Sequence, residues 1–231
     1  MDYLKRVSRN VALTMIFINM AVLVNSNAET EEKRERIIEY SKVKSVEPKK
    51  EVSRKEVIEK LATHILDFEG GYANHKLDYP TNKGIQWQTY KAFAPRLKLD
   101  TSRVAFRAMT DTQAKKFIYL FWQLANVDSI KDKRIAAFFV EEFWAAPVSI
   151  KFYQRKLNES FCLELAEDSG IGTETVKAIN SINSTVLIPK LIQWKEERYK
   201  RIVQRNPKKK VFSKGWKTRR DKFNESFLIS E

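Results

Sequence analysis

An all-α fold is what this sequence predicts, and three observations predict it. Glycine and proline are scarce, six of each in 231 residues, while Lys, Glu, Leu, Ile and Phe are plentiful. Apolar residues recur at three- and four-residue spacing in stretch after stretch, which places them on single helix faces. One of those stretches is preceded by a capping box, Thr110-Asp111-Thr112-Gln113. With 43% hydrophobic and 12% aromatic residues, the chain has material for one good-sized core, not for two full domains.

Residues 1–28 read as a secretory signal or an N-terminal membrane anchor. Lys5, Arg6 and Arg9 give the positive start, Val11 to Val24 is a mainly apolar run, and Ser26-Asn27-Ala28 offers small residues for cleavage. The run is short for a membrane span, which needs about 20 residues. Either reading exports the rest of the chain, to a periplasmic or extracellular location. Residues 29–52 are dense in Glu, Lys and Arg with few large apolar residues, and read as a solvated linker.

A helix is predicted from near Ser53, because Val57, Ile58, Leu61, Ala62, Ile65 and Leu66 share one face. Gly70-Gly71 is expected to end it in the left-handed cap conformation that glycine takes without steric cost. Glu69 then stands at the helix C-terminus between Phe68 and Tyr72. The negative end of the helix dipole disfavours an ionised carboxylate there, and aromatic neighbours act in the same direction. A protonated carboxyl group is what a general acid in glycoside cleavage requires. Asp78 offers a second carboxylate nine residues on, in a loop where Pro80 and Gly84 bracket Thr81. The plain alternative is a helix stop followed by a solvated glutamate.

Farther on, Trp87 to Ala94 predicts a short helix stopped by Pro95. Ala114, Phe117, Ile118, Phe121, Trp122 and Ala125 form a core stripe. Ile135 to Trp144 predicts the central buried helix, with Glu141 and Glu142 on its exposed edge or, alternatively, one of them facing a cleft as the second acid. Ser149 to Leu157 continues helically. Glu167 to Thr175 is a turn with two glycines and Thr173 as the expected N-cap. Leu187 to Val203 predicts a long amphipathic helix with a basic outer face, and a last helix begins near Lys214. Trp216 is either part of a cationic, aromatic surface or docked in the core.

The run Glu69-Gly70-Gly71-Tyr72, followed by Asp78, Thr81 and Gly84-Ile85, resembles the signature of glycoside hydrolase family 108. Two softer elements agree: Asp168-Ser169-Gly170 with the preceding Tyr153-Gln154-Arg155-Lys156-Leu157 helix, and Gly215-Trp216 followed by Arg219. The resemblance spans roughly residues 55 to 225. It implies a lysozyme-like, all-helical muramidase (residues 53–145) carrying a helical peptidoglycan-binding-like region (residues 146–231). It implies cleavage of the β-1,4 bond between N-acetylmuramic acid and N-acetylglucosamine. Glu69 would be the catalytic acid, and Asp78 or Thr81 would hold a water or stabilise the transition state. Gly70, Gly71, Tyr72, Asn74 and Gly84 would shape the substrate cleft. The chain departs from the family where Asp78-Tyr79-Pro80-Thr81 is two residues shorter than the usual Asp-x-Gly-Gly-x-Thr. It departs again where Val140 and Trp144 replace a usual Asp and Asn. A catalytically inactive wall-binding or structural protein, of a phage or a secretion apparatus, is the competing expectation.

A formal net charge of +14 suits an anionic partner. With export expected, peptidoglycan glycan strands are the expected partner, and no nucleic acid is. The lone Cys162, inside Phe161-Cys162-Leu163, is expected as a small core residue. His64 and His75 have no companions at metal-ligand spacing, so neither metal nor cofactor is expected.

Overall fold

The computed structural model describes residues 53–73 and 80–228. The expected signal, the linker and His75 lie outside the described residues, as do Asn74 and Asp78. The first helix, α1 (Arg54–Phe68), starts at a capping box: the Ser53 hydroxyl accepts from the Glu56 backbone while the Glu56 side chain accepts from Ser53. Its apolar face, Val57, Ile58, Leu61, Ala62 and Ile65, is buried as the spacing predicts, with His64 beside it, while Leu66 is half-buried.

A two-residue hairpin follows, β1 (Thr81–Asn82) and β2 (Ile85–Gln86), antiparallel with Thr81 opposite Gln86. Lys83 and Gly84 both have positive φ, 49° and 75°, which a tight two-residue hairpin turn requires. Ala73 bridges Thr81 through reciprocal backbone bonds of 2.8 and 2.9 Å. The chain beyond α1 is thereby laid along the hairpin.

Helices then take over: α2 (Trp87–Phe93), α3 (Arg103–Arg107), α4 (Asp111–Leu124), α5 (Lys133–Ala145), α6 (Ser149–Phe161), α7 (Thr173–Ser181), α8 (Ser184–Arg205) and α9 (Ser213–Phe223). The expected all-α class holds. The capping box at Thr110 starts α4. Helix α5 runs through the centre, packed by α1, α4 and α6, and its residues from Ile135 through Glu142 are all buried. A 3₁₀ helix, Pro207–Phe212, joins α8 to α9, and a π turn, Asn224–Leu228, folds back onto α5.

Three expectations are corrected. Helix α1 ends because Glu69 itself turns extended (φ −91°, ψ 126°). Neither Gly70 nor Gly71 has positive φ, and a Cβ on either would meet nothing within 4 Å. Gly172, not Thr173, is the N-cap of α7. Cys162 is exposed, in the left-handed conformation at the end of α6, because the apolar run around it ends with the helix.

Candidate active site

The end of α1 delivers Glu69 to the edge of the hairpin turn. Lys83 N–H donates to the Gly70 carbonyl at 3.1 Å, which fixes the turn beside the acid. A Cβ on Gly84 would lie 2.5 Å from Glu69 Cδ and 2.7 Å from Oε2. Glycine allows both this turn geometry and this approach without displacing the Glu69 carboxylate. The Glu69 side chain keeps 20% of its surface in contact with solvent.

Glu69 Oε1 accepts two hydrogen bonds, from Arg219 Nη1 at 3.0 Å and from Trp144 Nε1 at 3.3 Å. Both donors come from distant sequence. Trp144 sits near the end of α5, where its ring meets Phe121 edge-on at 5.0 Å. Arg219 comes from α9 and is mostly buried. Its Nε donates to Glu141 Oε1 at 2.8 Å, so one guanidinium spans two carboxylates and is fixed at both ends. The Oε2 of Glu141 is paired with Lys195. Lys195 also reaches Glu142 at 3.2 Å, and Arg198 closes the set on Glu142 at 3.2 Å.

This corrects the expectation for Glu141 and Glu142. They are not on an exposed edge of α5; both are buried, as is Lys195. Burial alone would raise the Glu141 pKa, but Lys195 and Arg219 outweigh it and hold the group down to about 2. Burial would likewise lower the Arg219 pKa, yet Glu141 and Glu69 raise it above arginine's ordinary value. Neither glutamate is open to the cleft, so neither serves as a second acid there.

The other residues expected to shape the cleft have partners of their own. Tyr72 is exposed over one third of its surface, edge-on to Phe106, with the Arg107 guanidinium 5.3 Å from its ring. Thr81 is half-buried on β1. Asn82, which no sequence motif marks, is buried and donates to the Phe106 and Arg107 carbonyls at 2.7 and 3.1 Å. It ties the hairpin to α3 and so to Tyr72. Among the described residues, no group of three His, Cys, Asp or Glu side chains could hold a metal ion.

The turn at Asp168 is a separate construction. Gln154 Nε2 on α6 donates to Asp168 Oδ1 at 2.9 Å and to the Gly170 carbonyl at 2.8 Å, and its Oε1 accepts from Ser169 N–H. The pairing of the Gln154 helix with this turn is as the motif implies. Ser169 takes the left-handed conformation, φ 71°, which glycine adopts without steric cost. Trp216 is half-buried and stacks on Tyr199 at 5.3 Å, so it is neither core nor an open platform.

Residues 62–160 match the model of the glycosyl hydrolase 108 family, and residues 148–221 match that of a predicted peptidoglycan domain. Together the two matches support a peptidoglycan hydrolase. Arg219 lies in the second matched region and Glu69 in the first, so their ion pair joins the two. The solved structure of SagA from Brucella abortus is similar to this chain, with a TM-score of 0.57 and 20% identity over 75% of this chain and 95% of that one. That likeness shows a shared fold. No curated protein matches the chain.

Proposed function

We propose that this chain, whose residues 62–160 match the model of glycoside hydrolase family 108, acts as that family's members do, as an exported N-acetylmuramidase with Glu69 as its general acid. The bond cleaved is the β-1,4 linkage from N-acetylmuramic acid to N-acetylglucosamine. The observation that carries this reading is the asymmetry of the Glu69 carboxylate. Its Oε1 is occupied by two N–H donors, so an added proton resides on Oε2. That oxygen stands against Gly84 at the hairpin.

Proton transfer from Oε2 to the glycosidic oxygen leaves a full carboxylate on Glu69. Arg219 and Trp144 already point at it, and their bonds strengthen as charge develops there. Glu141 keeps the guanidinium from reorienting. Thr81, on the strand that ends in the Gly84 turn, is the described residue we assign to water positioning; Asp78 is the other candidate for the second group. Tyr72 and the open space over Gly70 and Gly71 form the sugar-facing wall. Cell-wall-acting regions of this kind support export.

Glu69→Gln tests the site. Clearing of purified peptidoglycan by the wild-type chain should fall by a factor of about 10²–10⁴, while pelleting with peptidoglycan persists. New reducing ends should be on N-acetylmuramic acid, as read by mass spectrometry after borohydride reduction. Clearing that survives in Glu69→Gln would remove Glu69 from the chemistry. Wall binding without clearing by the wild type would leave a binding protein.

A further inference from the structure

Residues 198–220 contain eleven lysines and arginines and no aspartate or glutamate. One tenth of the chain thus carries a charge close to the formal total of +14. Several of these cations are committed: Arg198 and Arg219 inward, and Lys200, Lys217 and Arg220 to Glu196 or Asp221. Arg205, Lys208, Lys209, Lys210 and Lys214 are all exposed. None has a carboxylate partner among the described residues.

Within this unpaired set stand two large apolar side chains. Val211 is 75% exposed and Phe212 is 56% exposed, consecutive at the end of the 3₁₀ helix Pro207–Phe212. The tip is braced from below, since Phe212 lies 6.0 Å from Trp216, which in turn stacks on Tyr199. A soluble polyanion would use the cations and leave Val211 and Phe212 in water. A neutral sugar stacked on Phe212 would leave Val211 and the cations unused, and the Trp216 ring is already stacked on Tyr199. An anionic bilayer uses both features: apolar tips enter the interface while lysines stay with the phosphates.

We propose that the Pro207–Phe212 tip docks this protein on an anionic lipid surface. Val211 and Phe212 enter the headgroup boundary, and Arg205, Lys208, Lys209, Lys210 and Lys214 meet the phosphate groups around it. This contact is separate from any anchoring through residues 1–28, and it stands whether or not the chain cleaves glycan.

The test uses the full chain with Cys162→Ser, because Cys162 is exposed, and a nitroxide on Val211→Cys. On vesicles of phosphatidylcholine with about one third phosphatidylglycerol, the label should become accessible to oxygen and shielded from a water-soluble nickel chelate. On phosphatidylcholine alone it should stay aqueous. Changing Lys208, Lys209 and Lys210 together to Gln should weaken tip insertion roughly a hundredfold, at about five-fold per lysine. Phe212→Ser should also release the label. Because the label reports only on the tip, vesicle binding through residues 11–24 does not register. A label that remains aqueous on anionic vesicles overturns the proposal, and so does equal insertion into both lipids. Immobilisation by soluble polyphosphate or wall polymer that is indifferent to Phe212→Ser would assign the tip to a polyanion instead.

Discussion

The stretch from α8 through the 3₁₀ helix to α9 carries cations in two settings that obey different rules. Inside, Lys195, Arg198 and Arg219 each face a glutamate from α1 or α5. Outside, Lys208, Lys209, Lys210 and Lys214 face water. A charge taken out of water must be matched in place or the fold does not tolerate it. A charge left in water costs little and fixes little. The buried set therefore encodes geometry, and here that geometry ends on the carboxylate of Glu69. The exposed set encodes only an affinity.

The sharpest way to break the contrast is Glu141→Ala. It leaves Lys195 with Glu142 alone and Arg219 with Glu69 alone, and should destabilise the protein by about 3–5 kcal/mol, read by denaturant unfolding. Glu141→Gln keeps the shape and should cost less, while still loosening Arg219 and lowering the rate of peptidoglycan clearing. Gly84→Ala strikes the opposite side of the acid. The new methyl group would overlap the Glu69 carboxylate, and alanine at φ 75° adds about 1–2 kcal/mol of strain. Because a carboxylate can swing away, the larger loss falls on catalysis. The turnover rate should drop by roughly two orders of magnitude, with pelleting on peptidoglycan unchanged.

How much of this was legible in the sequence follows the same division. Helix starts at Ser53 and Thr110 were readable, because a capping box is local chemistry. So was the position of Glu69 at the end of α1, since the apolar periodicity runs out there. The partners of that acid were not. Arg219 stands in a recognisable Gly-Trp-x-x-Arg element and Trp144 at a noted departure, but nothing local says that either meets a residue 150 or 75 positions away. A usable signal did exist. Lys195 follows Leu187, Ile188 and Leu191 on the buried face of α8, and Glu141-Glu142 interrupts an otherwise apolar helix. A lone lysine on one apolar face and glutamates on another are complementary, and pairing them would have moved both inside. Gly70 and Gly71 show the opposite error, for the helix stops at Glu69 and the glycines leave open space.

Acid titration sharpens the comparison at a third buried group. His64 lies among the rings of Phe68, Phe223 and Phe227. Burial lowers its pKa to about 4, the neighbouring Glu141 opposing the shift and Arg219 reinforcing it. Its ordinary value is 6.5, so the unfolded chain takes up the proton first. Stability should therefore fall as pH drops from about 6.5 to 4, and Glu141 extends the decline toward pH 2 as its own pairing is lost. His64→Leu should remove the upper part of that slope. It should raise stability at pH 4 by roughly 2 kcal/mol, a figure discounted for the solvent that reaches the ring. Thermal melts from pH 8 to pH 4 would show it as two curves converging above pH 7.

The smallest effect belongs to a pair that looks as good on paper as the buried ones. Lys177 and Glu174 meet at 2.8 Å, the same distance as Arg219 to Glu141, but with side chains 67% and 76% exposed. Water and salt screen such a pair, and holding two long side chains together costs entropy. Lys177→Ala should change stability by no more than about 0.5 kcal/mol, and by less at high salt. If its cost instead approached that of Glu141→Ala in the same unfolding assay, distance rather than burial would be setting the energy. The buried network could then no longer be credited with holding Arg219 on Glu69.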